Sequence, residues 1–285
     1  MIPFELAEPR TLKAALKLFN TDDSSVRVFG GGTALMLMMK AGVFQPTRLI
    51  SLRGVEKRYA RVVTGKDGSL HIGALTTLSA LARTAAVKKR APVIVDALRT
   101  LSNVRVRNVA TLGGHLAHAD PHMDLPPVLI ALDAKVVAAA VAGSRELAVA
   151  DLLTGYYETA LAKNELISEV IVPAQNGRRS AYTKLTTRAA DDWPTLGIAV
   201  SLRTDGRMIE DARFVVSAAT ERPMRLAAAE EALRGVAVSD ATLARAGEAA
   251  AAEAVLTGDA HGSAAYKSEL LRVHAVRAVR KALAA

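Results

Sequence analysis

Residues 28–40 read VFGGGTALMLMMK, in which an apolar run meets three consecutive glycines and then strong helix formers. This order is typical of a strand, a tight loop and a helix. Glycines let backbone N–H groups approach an anion closely, and a helix that begins at Thr33 would add the positive end of its dipole. The loop lacks the lysine of a Walker A motif and the spacing of G-x-G-x-x-G, so it fits an anion site and a plain turn equally well.

A second glycine-containing stretch, TLGGHLAHADPHMD at 111–124, holds three of the six histidines. One interpretation is a metal site, although H-E-x-x-H spacing is missing, and two glycines and Pro121 make a regular helix unexpected. In the other interpretation the two stretches hold the two phosphates of a dinucleotide. Asp120 and Asp124 would then orient the loop backbone or bind hydroxyls, with the histidines hydrogen-bonded locally.

The composition is that of a soluble globular protein, with 51% hydrophobic and 23% charged residues among 285. Cysteine is absent, which excludes disulfides, thiolate metal sites and cysteine-ligated iron–sulfur clusters. The net charge of +9 fits a nucleic-acid or anionic-lipid partner, a solvated basic surface, or a basic surface that faces an acidic protein. Aromatic residues are scarce, at 4%, so a nucleic-acid partner is not expected.

No membrane span is expected, because the most apolar region, LPPVLIALDAKVVAAAVAG at 125–143, contains two prolines and two charged residues. The N-terminal residues MIPFELAEPR lack the basic and apolar regions of a signal peptide. A cytoplasmic location is therefore expected.

Periodicity and turn residues predict mixed helices and strands up to Pro173. The first predicted elements are a helix at 11–19, strands at 25–29 and 48–52, and a hairpin at 58–75. Residues 76–101 are predicted to be helical, in two pieces broken near Pro92, and an apolar helix ends near Asp133. A hairpin of KVVAAAV with RELAV and the strand ELISEVIVP complete this part of the chain. The polar stretch AQNGRRS at 174–180 is the best candidate for a domain linker.

Beyond that linker the pattern changes to strands followed by helices, which predicts an α+β second domain. The dipeptide Asp205-Gly206 is a strong hairpin signal between two apolar strands. Three helices follow to the end of the chain, and the first of them stops at Gly235, a residue typical of a helix C-terminus.

The stretches VFGGGTALMLMMK and VRVRNVATLGGHLAHADPHMDLPPVLIALDA resemble the paired signatures of the FAD-binding medium subunits of molybdenum hydroxylases. This family includes the flavoprotein of carbon monoxide dehydrogenase and the FAD domain of xanthine dehydrogenase. The similarity continues through AYTKLTTRAADDWPTLGIAV into the C-terminal helices, so nearly the whole chain is covered. It implies an α+β fold. A FAD-binding domain of the vanillyl-alcohol-oxidase (PCMH) type at 1–173, with subdomains at about 1–55 and 56–173, precedes a smaller α+β domain of antiparallel sheet and helices at 178–285.

The resemblance also implies the cofactor-binding residues, with no catalytic residue and no metal ligand in this chain. Backbone groups on two sides would hold the FAD pyrophosphate: Gly30, Gly31, Gly32, Thr33 and Ala34, and Thr111, Leu112, Gly113, Gly114 and His115. Asp124 would bind hydroxyls of the flavin chain, Ile167 would lie near the cofactor, and Lys184 would lie beside the isoalloxazine, where a cation favours a reduced anionic flavin. Either Trp193 or Tyr182 would cover one ring face.

Two residues depart from the usual form of these signatures. His115 replaces a common asparagine, which leaves the role of its side chain open. Ala34 replaces a common serine or aspartate, and backbone donors are expected to compensate for the lost side-chain group.

By resemblance, the chain would be an electron-transfer flavoprotein. Hydroxylation would occur at a molybdopterin cofactor in a large partner subunit, and electrons would pass through two [2Fe–2S] clusters of a small partner subunit to FAD here and then to an external acceptor. A dimer of heterotrimers is expected. The alternatives are a stand-alone FAD-dependent oxidoreductase of the same fold, a metal-dependent hydrolase and a basic binding module. The substrate is open, and so is the acceptor, which is NAD, a quinone or oxygen.

Overall fold

The computed structural model describes residues 2–285, so Met1, the first residue of the predicted FAD-binding domain, lies outside the described residues. The first unit is a three-stranded parallel sheet in which β3 lies between β1 and β2. Its elements are β1 (Glu5–Ala7), α1 (Leu12–Phe19), β2 (Val26–Phe29), α2 (Thr33–Lys40) and β3 (Arg48–Ser51). The predicted helix at 11–19 and the predicted strand–loop–helix at 28–40 are confirmed.

The second unit is a five-stranded antiparallel sheet, in the order β4-β5-β10-β6-β7, with helices packed around it. Its elements are β4 (Val62–Thr64), β5 (Leu70–Gly73), α3 (Leu78–Arg83), α4 (Ala85–Arg90), α5 (Pro92–Thr100), α6 (Val104–Val109), α7 (Leu112–His118), α8 (Leu125–Ala131), β6 (Lys135–Ala140), β7 (Gly143–Ala148), α9 (Val149–Leu152), β8 (Leu153–Gly155), β9 (Glu158–Thr159) and β10 (Leu166–Val172). The two predicted hairpins appear as β4–β5 and β6–β7.

The helical region after this first hairpin differs from the prediction of two pieces. Three helices are present, because the chain also breaks at Thr84, whose hydroxyl donates to the Ala80 carbonyl at 2.9 Å. Pro92 begins the third helix, a position where its missing N–H costs nothing. The short helix α6, capped by Asn103, is a further element that the pattern did not indicate.

The expectation that residues 111–124 contain no regular helix is wrong, because α7 runs through both glycines. Thr111 caps this helix: its hydroxyl oxygen accepts from the Gly114 N–H at 3.2 Å. Gly113 is required by packing, since a Cβ there would lie 2.6 Å from the Cβ of Ala74. The helix ends at His118, before Pro121 could disrupt it, and Ala119 follows at a φ of +52°.

The C-terminal domain is an antiparallel sheet in the order β11-β12-β13-β14, covered by helices. Its elements are β11 (Arg179–Leu185), β12 (Leu196–Thr204), β13 (Met208–Ser217), β14 (Met224–Arg225), α10 (Ala227–Leu233), β15 (Val236–Ala237), α11 (Asp240–Glu253) and α12 (Ala264–Leu283). Asp205-Gly206 joins β12 to β13, with Gly206 at a φ of +96°, so the predicted hairpin is confirmed.

Apolar packing joins the second unit to the C-terminal domain. Tyr182, Ala199 and Val215 belong to the same buried cluster as the helices and sheet of the second unit. A second cluster lies between the C-terminal sheet and its helices, and a third lies under the first unit. Within residues 2–285, no helix combines the length and the apolar character needed to span a membrane.

Candidate functional site

A cavity of about 650 Å³, here called the central cavity, is lined by residues of the first unit, the second unit and the C-terminal domain. Its size lies in the range of small-molecule and cofactor sites. The predicted site residues on its wall are Gly30, Gly31, Gly32, Thr33, Ala34, Thr111, Gly114, His115, Asp124 and Lys184. Leu112, Gly113 and Ile167 are not on the wall, because they are packed into the structure behind it.

The two glycine stretches are in direct contact. A Cβ on Gly30 would lie 2.6 Å from the hydroxyl oxygen of Thr111, and a Cβ on Gly31 would lie 2.1 Å from the carbonyl oxygen of Val109. No side chain fits at either position, so glycine is what allows the two backbones to approach each other.

The first glycine stretch presents unpaired backbone donors to the central cavity. Gly32, at a φ of +75°, precedes α2 and offers it no side-chain cap. Among residues 2–285, no acceptor pairs with the backbone N–H groups of residues 30–34. A row of free N–H groups at the start of a helix, where the dipole is positive, is suited to an anion such as a phosphate.

The second glycine stretch differs, because most of its N–H groups donate within the protein. Four successive donors are Leu112 to the Thr76 carbonyl at 3.0 Å, Gly113 to the Ala74 carbonyl at 2.8 Å, Gly114 to the Thr111 hydroxyl at 3.2 Å and His115 to the Thr111 carbonyl at 2.8 Å. Within the described part of the chain, the Thr111 N–H has no acceptor. Among residues 111–115, Thr111 is therefore the one that can offer a backbone donor to a bound anion.

His115 brings a buried polar atom to the cavity wall without a partner. Its side chain is buried, and no group of residues 2–285 lies within hydrogen-bond distance of Nε2. Burial lowers the pKa of His115 to about 3, so the ring is neutral at physiological pH. Because buried polar atoms are normally paired, a bound ligand is a natural partner for this ring.

Asp124 connects the second unit to β11. Its Oδ1 accepts from the Tyr182 hydroxyl at 2.7 Å, and its Oδ2 accepts from Lys184 Nζ at 3.1 Å. Lys184 also donates to the Thr100 carbonyl at 2.8 Å. Burial raises the pKa of Asp124, and the Lys184 ammonium opposes this increase. The cation predicted near the cofactor is thus already paired with a carboxylate on the same wall.

Trp193 and Tyr182 are the two aromatic candidates for covering a face of the flavin ring. Trp193 lines the central cavity and Tyr182 does not. Trp193 is half-exposed on the β11–β12 connection, whereas Tyr182 is buried against Asp124. The sequence interpretation did not assign the other wall residues, which include Val28, Leu37, Met38, Phe44, Tyr157, Asp191, Asp192 and Pro194. The run DDWP at 191–194, a half-exposed aromatic in a polar turn, is a signal that points to part of this set.

Three non-glycine residues with positive φ lie on the cavity wall or next to it, and three others, Asp133, Asn176 and Ala218, are not among the wall residues. Ser102 and Tyr157 on the wall have φ values of +50° and +58°, and Ala119, next to Asp120 on the wall, has a φ of +52°. A non-glycine residue in this left-handed backbone conformation costs roughly 1–3 kcal/mol of conformational free energy, and such residues are found preferentially at functional sites.

The histidine-rich stretch does not form a metal-binding geometry in the described residues. Within residues 2–285, no group of three or more histidine, aspartate or glutamate side chains converges as metal ligands would. His118 instead packs against the Tyr157 ring, at a centroid distance of 5.1 Å, and burial lowers its pKa.

Free helix-start donors, in a cavity shared by an α+β domain and a smaller sheet-and-helix domain, indicate a protein that binds a nucleotide cofactor. Residues 2–175 match the FAD binding domain in molybdopterin dehydrogenase, and residues 180–282 match the CO dehydrogenase flavoprotein C-terminal domain. The chain belongs to this family, as an FAD-binding medium subunit of the molybdopterin dehydrogenases. It is thus an oxidoreductase subunit, and the predicted α+β fold with its PCMH-type domain is confirmed.

Similar proteins match over their full lengths. The chain is 31% identical to the carbon monoxide dehydrogenase medium chain of Hydrogenophaga pseudoflava, covering 100% of this chain and 99% of that one. It is 28% identical to the glyceraldehyde dehydrogenase medium chain of Sulfolobus acidocaldarius, covering 98% of each. The structure of carbon monoxide dehydrogenase from Hydrogenophaga pseudoflava has a TM-score of 0.94 at 32% identity, covering 100% of this chain and 99% of that one.

Proposed function

We propose that this chain carries electrons, through bound FAD, from iron–sulfur clusters of a partner subunit to an external acceptor. The observation that carries the proposal is the row of unpaired N–H groups at residues 30–34 on the wall of the central cavity. Bound FAD supplies the redox chemistry, because a flavin exchanges electrons singly or in pairs. The protein supplies binding, orientation and the electrostatic surroundings.

The residues fit the cofactor. In the proposal the N–H groups of residues 30–34 hold the pyrophosphate, and Thr111 adds a donor from the other side. Gly114 leaves room for the cofactor to approach α7 closely. The Nε2 atom of His115, which has no partner among the described residues, contacts the cofactor. Leu112, Gly113 and Ile167 act from behind the wall, where they keep α7 and β10 in position.

Asp124 and Lys184 have paired roles in this proposal. Each carboxylate oxygen of Asp124 accepts one hydrogen bond from the protein and retains capacity for a second, from a hydroxyl of the flavin chain. Lys184 brings an amino group to the wall, paired with Asp124, where a cation favours the anionic form of a reduced flavin. Trp193 covers one face of the flavin ring.

The domains divide the work in this proposal. The FAD-binding domain, at 1–173 with subdomains at about 1–55 and 56–173, binds the cofactor. The domain at 178–285 closes the cavity through Lys184 and the connection that carries Trp193.

The proposed partners are a large molybdopterin-binding subunit and a small subunit with two [2Fe–2S] clusters, in a dimer of heterotrimers. The chain has no cysteine and cannot hold such clusters by thiolates itself. Its net charge of +9 favours docking to acidic partner surfaces. The relatives' names, a glyceraldehyde and a carbon monoxide dehydrogenase, differ in substrate, as expected if the substrate is oxidised on the large subunit.

The test of this function is purification of the tagged chain from cells that also express its partner subunits. We expect it to be recovered with a molybdopterin-containing chain and an iron–sulfur chain, and a substrate of that complex to reduce the flavin. The isolated chain should not oxidise the same substrate. Turnover by the isolated chain would support the stand-alone oxidoreductase instead.

Replacing Gly114 with valine is expected to abolish FAD occupancy and to lower stability by about 0.5–2 kcal/mol, the usual effect of losing a helix N-cap. A Cβ at this position would lie 2.9 Å from the Thr111 hydroxyl oxygen, so this capping hydroxyl must shift. Because Gly114 lines the central cavity, the β-branched side chain is expected to occupy space that FAD would fill. The FAD content of the purified variant and its melting temperature are the measurements. Normal FAD content would show that the cofactor does not approach this part of α7.

A further inference from the structure

A cluster of polar side chains crosses from the second unit to the C-terminal domain beside the central cavity. Asp120, which is 4% exposed, accepts at Oδ1 from the backbone N–H of His122 at 2.8 Å. The same oxygen lies 3.1 Å from Nδ1 of the His122 ring. The other oxygen of Asp120 accepts from the Tyr157 hydroxyl. Three side chains on the cavity wall are thereby linked.

The opposite side of the His122 ring faces the C-terminal domain. Its Nε2 lies 3.3 Å from Oδ2 of Asp259, an oxygen that also accepts from Lys267 Nζ at 2.8 Å. Lys267 is completely buried and also lies 3.4 Å from the Ala218 carbonyl, to which it donates. Asp259 is therefore held in place by a buried ammonium group, and His122 contacts a fixed carboxylate.

The charge state of His122 determines whether both contacts are favourable. A neutral imidazole donates from one nitrogen and presents a lone pair at the other, whereas the imidazolium donates from both. With a carboxylate at each nitrogen, the imidazolium satisfies both contacts, and the neutral ring places a lone pair against an anion.

Other titratable groups surround this ring. From the second unit they are Asp120, Tyr157 and His118, which packs against the Tyr157 ring. From the C-terminal domain they are Asp259, Lys267 and His261, whose ring centroid is 5.9 Å from that of His122. Burial lowers the pKa of His122, but the hydrogen bonds and charges of Asp120 and Asp259 outweigh it and raise the pKa above its ordinary 6.5.

The same ring contacts the aromatic wall of the central cavity. The centroids of His122 and Trp193 are 5.8 Å apart, and their planes are nearly perpendicular, at 82°. Such an edge-on contact orients both rings. Trp193 is half-exposed on the cavity wall, and the His122 ring is an aromatic neighbour that can hold it there.

We propose that His122 is a positioning residue: as an imidazolium between Asp120 and Asp259 it ties the two domains together and holds Trp193 at the cavity wall. Trp193 is held at the wall while His122 is protonated, and it is released when His122 loses its proton. The expected effect on FAD affinity rests on the proposed function, whereas the effect on the position of Trp193 does not.

Trp193 is the one tryptophan of the sequence, so tryptophan emission reports directly on this contact. The experiment is a fluorescence titration of the FAD-free full-length chain between about pH 5 and 9, a range that brackets an ordinary histidine pKa. We expect one transition with its midpoint above 6.5, the ordinary histidine value. Wild-type emission that does not change across this range would overturn the proposal.

Two histidine variants assign the transition. His122→Asn should remove it, because an amide does not titrate, whereas His261→Asn should keep it. Loss in His261→Asn with retention in His122→Asn would contradict the assignment. Asp259→Asn is a further check that leaves the histidine in place: removal of one carboxylate should lower the midpoint, and an unchanged midpoint would count against the ion pair.

A parallel titration of FAD binding separates this proposal from the proposed function. FAD affinity should fall about two- to tenfold as pH rises through the emission midpoint, the effect of one aromatic contact. In His122→Asn the affinity should not follow this transition. A chain that shows the emission transition but binds no FAD would refute the proposed function alone. FAD binding without any emission transition would refute the positioning role alone.

Discussion

Replacing Gly32 with alanine is expected to weaken FAD binding by about 10- to 100-fold, the loss of roughly one charge-assisted hydrogen bond. Gly32 precedes α2 at a φ of +75°, where an L-residue is strained by roughly 1–2 kcal/mol. A Cβ there would also lie 3.2 Å from the Phe29 ring. The loop relieves both effects by rotating, which turns its N–H groups away from the pyrophosphate.

The same helix provides a matched control at its other end. Gly42 also has a φ of +75°, and a Cβ there would meet nothing within 4 Å. Gly42→Ala should therefore cost similar stability but leave the FAD dissociation constant unchanged. Titration of both purified variants with FAD makes the comparison. Equal FAD affinity in the two variants would mean that the first glycine stretch does not hold the cofactor.

Asp124→Ala is expected to destabilise the protein by about 3–5 kcal/mol, the usual effect of removing one partner of a buried ion pair. The side chains of Lys184 and Asp124 are 6% and 5% exposed, so the variant leaves a buried ammonium without its counter-ion. The Tyr182 hydroxyl also loses its acceptor. FAD affinity should fall as well, because the wall that Asp124 and Lys184 form together is lost.

An exposed ion pair serves as the control for this substitution. The side chains of Lys135 and Glu146 are 56% and 53% exposed and 3.1 Å apart, so Glu146→Ala should change stability by less than about 1 kcal/mol. Urea unfolding of both variants gives the two free energies of unfolding. If Asp124→Ala costs no more than Glu146→Ala, the buried pair does not hold the domains together.

Local signals in the sequence were sufficient for much of the fold. The strand, glycines and helix at 28–40 and the hairpin at Asp205-Gly206 depend on turn chemistry that neighbouring residues determine. The helix α7 could not be predicted in this way. Two of its N-terminal N–H groups donate to the carbonyls of Thr76 and Ala74, which tertiary packing brings to it. Without that packing, two adjacent glycines indicate a break in a helix.

The sequence likewise indicates only part of the candidate site. The resemblance indicates both glycine stretches, and the structure brings them together. The sequence does not show that the first stretch keeps its N–H groups free while most N–H groups of the second donate within the protein. The closeness of three histidines in the sequence suggests possible metal ligands. The structure buries the His115 ring, which is neutral, and places His122 between two carboxylates, one of which is 137 residues away in the sequence. Contacts over that separation leave no local pattern.

The most direct test of the account is the FAD content of the full-length chain, measured from its visible spectrum. The chain should be examined alone after reconstitution with FAD and as part of a co-expressed complex. We predict one FAD per chain, with occupancy lost in Gly114→Val. Absence of FAD both from the reconstituted chain and from the complex would contradict the central claim.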